Sequence, residues 1–98
     1  MMKDKILNKI RDVSAINYDT HFVNEQLIAL EEIKRDNVIS SGDENMHLTI
    51  ICSALKYYLE MSPMGYSDDI INIIDRLEAT YGVEGILESL TEEEFSNT

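Results

Sequence analysis

Glu44 and His47 stand three residues apart, a spacing that puts a carboxylate and an imidazole on one helix face, where both could reach a metal ion. A di-metal bundle site needs a second such pair and further carboxylates. The chain has 2 histidines, and the other, His21, is preceded three residues earlier by Tyr18. Glu44 has a simpler role at a helix start, where its charge complements the positive end of the dipole. No metal and no cofactor are expected.

Cys52 is the single cysteine. As a nucleophile it needs a neighbouring base, and His47, five residues earlier on the same helix, points about 140° away at 100° per residue. Cys52 therefore reads as a small apolar core residue, and one cysteine cannot form an intrachain disulfide. Adjacent carboxylates are abundant in Glu31-Glu32, Asp68-Asp69 and Glu92 to Glu94. Acid–base chemistry needs such a group inside a cleft that raises its pKa, and these acids fall at helix starts, on polar faces or in the tail. There is no phosphate-cradling glycine loop, calcium loop or zinc-ligand spacing. Catalysis is not the expected function.

Charge is the strongest compositional signal. The formal net charge is −11 over 98 residues. Residues 1–13 carry four bases (Lys3, Lys5, Lys9, Arg11) against two acids (Asp4, Asp12), whereas residues 57–98 carry ten acids against one base, Arg76. Such a field repels nucleic acid and anionic membrane and attracts basic protein surfaces. With no secretory pattern at the N-terminus and no run approaching the roughly 20 apolar residues of a membrane span, a cytoplasmic location is expected.

The elements that must position these groups read as helices. One Pro and four Gly leave few breaks, which favours an all-α architecture over a many-turned sandwich. Met2, Ile6, Ile10 and Val13 form a one-sided stripe over residues 2–13. A second helix over 20–35, capped by Asp19 or Thr20, gathers Phe22, Val23, Leu27, Ala29, Leu30 and Ile33 on one face, with Ile28 off the stripe. The organising segment is Met46 to Met61, a helix of about 44–61 capped by Asp43. Leu48, Ile51, Leu55, Tyr58 and Leu59 make one apolar face, Met46, Ile50, Tyr57 and Met61 a second, and Thr49, Ser53, Lys56 and Glu60 a narrow polar strip. Two apolar faces need two neighbours: the first meets helices one and two, and the second meets helix four or another subunit.

Pro63 ends that helix. Ser67-Asp68-Asp69 starts a fourth and Gly82 stops it, with Ile70, Ile73, Ile74, Leu77 and Tyr81 facing inward. Val83 to Leu90 supplies a short fifth turn and helix. Thr91 to Glu94 has the form of a capping box, although 92–98 is short enough to fray. The expected fold is one acidic domain over 1–98, a compact four- to five-helix bundle around the central helix.

The functional expectation follows from charge. A small acidic binding protein presents Asp68, Asp69, Asp75, Glu78, Glu84 and Glu88, with Tyr66 as aromatic anchor, to a basic surface on a partner and occludes it. Nucleases and other nucleic-acid-binding proteins expose such surfaces because they neutralise phosphates. Small acidic immunity proteins, antitoxins and phage-encoded inhibitors of host defence follow the same logic, an analogy of size and charge carried by no motif. The alternative is a self-assembling structural or adaptor module, dimerised through Met46, Ile50, Tyr57 and Met61, or an oligomer that sequesters a small ligand.

Overall fold

The computed structural model describes residues 2–36, 41–61 and 68–90; Tyr66, the Pro63 stop, the Ser67 cap and the 92–98 tail lie outside the described residues. Helix α1 spans Met2–Asp12, α2 Thr20–Arg35, α3 Ser41–Glu60 and α4 Asp68–Tyr81. A short helix, α5, covers 86–90. The fold is an all-α bundle, and no strand occurs among the described residues.

The ends follow local chemistry. Asp19 accepts the His21 amide at 3.2 Å and caps α2, satisfying one of the first-turn N–H groups that have no intrahelical partner. Helix α3 begins at Ser41, so Asp43 and Glu44 stand inside its first turn. This corrects the expected Asp43 cap: both acids act on the helix dipole from within. At the end of α4, Gly82 takes φ +65°, and the Val83 amide reaches back to the Glu78 carbonyl at 3.0 Å. That closure fits a glycine because a side chain in this left-handed conformation meets the following backbone.

Helix α2 runs antiparallel to α3, as the pairs Gln26–His47 and Lys34–Glu44 require. It runs parallel to α4, where Asn24 meets Arg76 and Lys34 lies over the Tyr81 ring. The core joins Ile6, Leu7 and Ile10 of α1 to Val23, Leu27 and Leu30 of α2, Leu48, Ile51 and Leu55 of α3, Ile70, Ile73, Ile74 and Leu77 of α4, and Ile86. Leu7 lies beside the expected stripe of α1 and is also buried, so α1 is covered over a broader arc than its pattern indicated.

Glu60 of the central helix's polar strip is exposed, whereas the rest of the strip makes intramolecular contacts: Lys9 donates to Asn45 at 2.6 Å and to Thr49 at 3.3 Å, Ser53 is buried, and its carbonyl accepts the Ile16 amide. Lys56 donates to the carbonyls of Arg11 and Val13 at 2.7 and 2.9 Å, satisfying acceptors at the α1 C-terminus that lack helical donors. The second apolar face is instead the open one. Met46 is 50% and Met61 64% exposed, while Ile50 and Tyr57 are partly buried, so the two ends of this strip are uncovered. Phe22, expected in the α2 core stripe, is 37% exposed. It lies about 100° round the helix from the buried Val23, and its ring leans on Tyr18 instead.

Candidate interaction surface

The acids expected to meet a partner divide among several environments. Asp68 and Asp75 stand exposed on the outward side of α4, and Glu84 is exposed on the following turn. Asp69, one residue round from Asp68, borders a groove of about 330 Å³ between α2 and α4, lined also by Thr20, His21, Asn24, Asn72 and Ile73. Glu78 serves the fold internally, since its carboxylate accepts the Ile86 amide at 3.1 Å and satisfies an otherwise unpaired donor at the start of α5. The Glu88 carboxylate lies by Gly85, against which the Lys3 ammonium is also placed. Glu78 is thus a structural residue, and the expected set is dispersed over several surfaces.

Arg76, the single base of residues 57–98, turns inward. Its guanidinium donates through Nε to Glu31 at 3.1 Å, makes a second bond to the same carboxylate through Nη2, and reaches Asn24 through Nη1. The planar fork matches both carboxylate oxygens, which a lysine cannot do. The outward acids of α4 are thereby left without their nearest cation in sequence.

Glu44 pairs with Lys34 at 2.7 Å, and the His47 Nδ1 lies 2.6 Å from the Gln26 side-chain oxygen. Each partner is supplied by α2, so the pair ties α3 to α2. Among the described residues no three His, Cys, Asp or Glu side chains are grouped to hold a metal ion. Cys52 is fully buried, and burial, partly opposed by Lys9, pushes its thiol up from 9.0 to about 12. A nucleophilic cysteine needs thiolate at neutral pH, and this environment suppresses it.

An aromatic cluster forms where α3 ends and α2 begins. The Tyr18 and Phe22 rings are 5.4 Å apart, and the Tyr57 and Tyr58 rings 6.3 Å apart, edge to face. The Tyr58 hydroxyl donates to the Tyr18 carbonyl, joining the two pairs. Burial first, then the negative charges of Asp69 and Asp19, raise the Tyr58 pKa above its ordinary value. The sequence pattern puts Tyr58 and Tyr57 on different faces of the central helix and Phe22 in the α2 core stripe; the joining contact spans forty positions and has no local signature.

Among the described residues, no helix is long and apolar enough to cross a membrane. The chain matches no protein-family model, no curated protein and no solved structure.

Proposed function

We propose that this chain is an inhibitor-type binding protein that occludes a basic surface of another protein, such as a nuclease or nucleic-acid-binding protein. The observation that carries the reading is the allocation of charge on α4: Asp68, Asp69 and Asp75 are exposed, while Arg76 is spent on Glu31 and Asn24. An uncompensated acidic surface on a chain of net charge −11 accelerates encounter with a basic partner and disfavours nucleic acid itself. The test adds the purified chain to assays of a panel of basic nucleases at low and high salt. Dose-dependent inhibition that weakens with salt is expected; undiminished activity of every nuclease at low salt counts against the proposal.

A second reading is self-association through Met46, Ile50, Tyr57 and Met61, favoured by the exposure of the two methionines. Light scattering over a concentration series tests it, with a persistent monomer ending it.

A further inference from the structure

Resting on the basic-partner reading, we propose that the docking surface is the end of the bundle where α3 finishes and α2 and α4 begin, not the outward face of α4. Its centre is an apolar and aromatic patch of Ile16, Tyr18, Phe22, Tyr57, Tyr58 and Met61, and its occupant is a basic polypeptide surface that carries apolar side chains among its cations.

Backbone bonds and ring contacts bring the patch residues to one end of the bundle. The Ile16 amide donates to the Ser53 carbonyl at 3.2 Å, one turn before Tyr57, and the Tyr18 carbonyl accepts the Tyr58 hydroxyl. Phe22 leans on Tyr18, and Met61 follows Tyr57 by one turn. Ile16 is 41%, Phe22 37% and Met61 64% exposed. Three of the six large apolar side chains exposed above one-third among the described residues therefore belong to the patch, and Ile71, in the first turn of α4, stands at the same end, the others being Ile28 and Met46. Tyrosine and phenylalanine give large contact area for few frozen torsions, and their ring faces attract guanidinium and ammonium groups.

Charge selects the occupant. Asp19, Glu25, Glu60, Asp68 and Asp69 are all exposed around this end. The nearby bases are engaged: His21 faces Glu25 at 3.1 Å, Lys56 holds the carbonyls of Arg11 and Val13, and Arg11 turns back to Asn8 at 2.7 Å. The negative C-terminal end of α3 adds to the field, and the positive starts of α2 and α4 carry Asp19 and Asp68–Asp69. The groove beside the patch adds Asp69, Asn72 and Thr20 as acceptors within reach of a cationic side chain. A second copy fits poorly, because a two-fold contact would bring two such carboxylate rings face to face. Nucleic acid and anionic lipid are repelled for the same reason.

The test uses the full chain and two blocked synthetic peptides of equal length and charge, one alternating arginine with leucine and one alternating arginine with serine, titrated calorimetrically at low salt. The arginine–leucine peptide is expected to bind more tightly. The double variant Phe22→Ala/Met61→Ser should weaken it by about tenfold, to the level of the serine peptide, as loss of a central anchor does. The pair Asp75→Asn/Glu84→Gln should lower both peptides by a smaller, equal factor. Circular dichroism melting checks folding, and Met61→Ser alone, at the most exposed position, keeps the comparison readable if the double variant melts early. Unchanged arginine–leucine binding by the patch variants, with loss in the α4 variant, overturns this assignment and leaves the basic-partner reading standing. Failure of the wild type to bind either peptide overturns both. Dimerisation of the free chain that Met61→Ser abolishes assigns the patch to a second copy and overturns the proposal.

Discussion

Two tyrosines of the same bundle are expected to respond in opposite directions to loss of one oxygen atom. The Tyr81 hydroxyl is buried and finds no hydrogen-bond partner among the described residues, whereas the Tyr58 hydroxyl donates to the Tyr18 carbonyl. Burying an unpaired hydroxyl costs about 1–3 kcal/mol, and a satisfied bond contributes about 1 kcal/mol net. Tyr81→Phe keeps the ring on which Lys34 rests at 5.0 Å from the centroid, so the substitution removes the hydroxyl and little else. A gain of about 1 kcal/mol is expected for Tyr81→Phe and a loss of similar size for Tyr58→Phe. For 98 residues, unfolding entropy of about 0.2 kcal/mol per kelvin converts each to about 5 °C in Tm, upward and downward respectively. Burial foremost, then Glu44 and Cys52, raise the Tyr81 pKa above its ordinary 10.0. Below pH 10.0 both folded and unfolded chains keep the proton; above it the unfolded chain ionises first, so wild-type stability falls with rising pH and the advantage of Tyr81→Phe widens. Thermal melts of the two variants at neutral pH and in alkaline buffer make the comparison. A fall in Tm for Tyr81→Phe as large as that for Tyr58→Phe would refute the reasoning, because it would mean that the Tyr81 hydroxyl is satisfied.

Cys52 should be inert to an aromatic disulfide reagent in the native protein and react fully in denaturant. Because its thiol is raised from 9.0 to about 12, unfolding free energy should fall by up to about 1.4 kcal/mol per pH unit as pH climbs through that window; Cys52→Ala should flatten the slope between about pH 9 and 10 in urea titrations. Arg76→Ala should cost about 1–2 kcal/mol by urea denaturation, less than a fully buried pair because Glu31 is 38% exposed and regains water. Arg76→Lys should recover only part of that loss, since one ammonium cannot serve both carboxylate oxygens. Added salt should raise Tm by screening the self-repulsion of a −11 chain; a falling Tm would show that the surface ion pairs outweigh that repulsion.

Helix α4 was the most legible element because each of its signals is local: acids in its first turn, isoleucines and leucine at helical spacing, and a glycine stop whose φ of +65° the sequence position foretold. The α2 cap at Asp19 was readable for the same reason. The faces of α3 were not. Periodicity fixes the angle of a side chain about its own axis but not which neighbour lies there. Thr49, Ser53 and Lys56 have the look of a solvent strip, yet small hydroxyl side chains allow close approach, and the Lys56 stem can lie along α1 with its ammonium on free carbonyls. Glu78 illustrates the same limit for the surface: an acid in the last turn of α4 reads as solvated until the Gly82 turn brings the Ile86 amide back to it. The aromatic patch combines a loop residue, two residues flanking the start of α2 and the last turn of α3, and such a grouping exists only once α2 and α3 pair.

The distribution of cations gives the acidic surface more weight than composition alone implies. Lys9 is spent on Asn45 and Thr49, Lys34 on Glu44 and the Tyr81 ring, Lys56 on the end of α1, and Arg76 on Glu31 and Asn24. Each contact joins one helix to another, so these bases hold the bundle together while Asp68, Asp69, Asp75 and Glu84 remain at the surface. A cation fixed between helices has little freedom to swing out and neutralise a distant carboxylate, which leaves the field around α4 and the aromatic end dominated by acids. Structural use of the bases and an exposed acidic surface are therefore two consequences of one arrangement. Replacing an interhelical base such as Arg76 changes stability first; replacing an exposed acid such as Asp75 changes the surface field and leaves the fold intact.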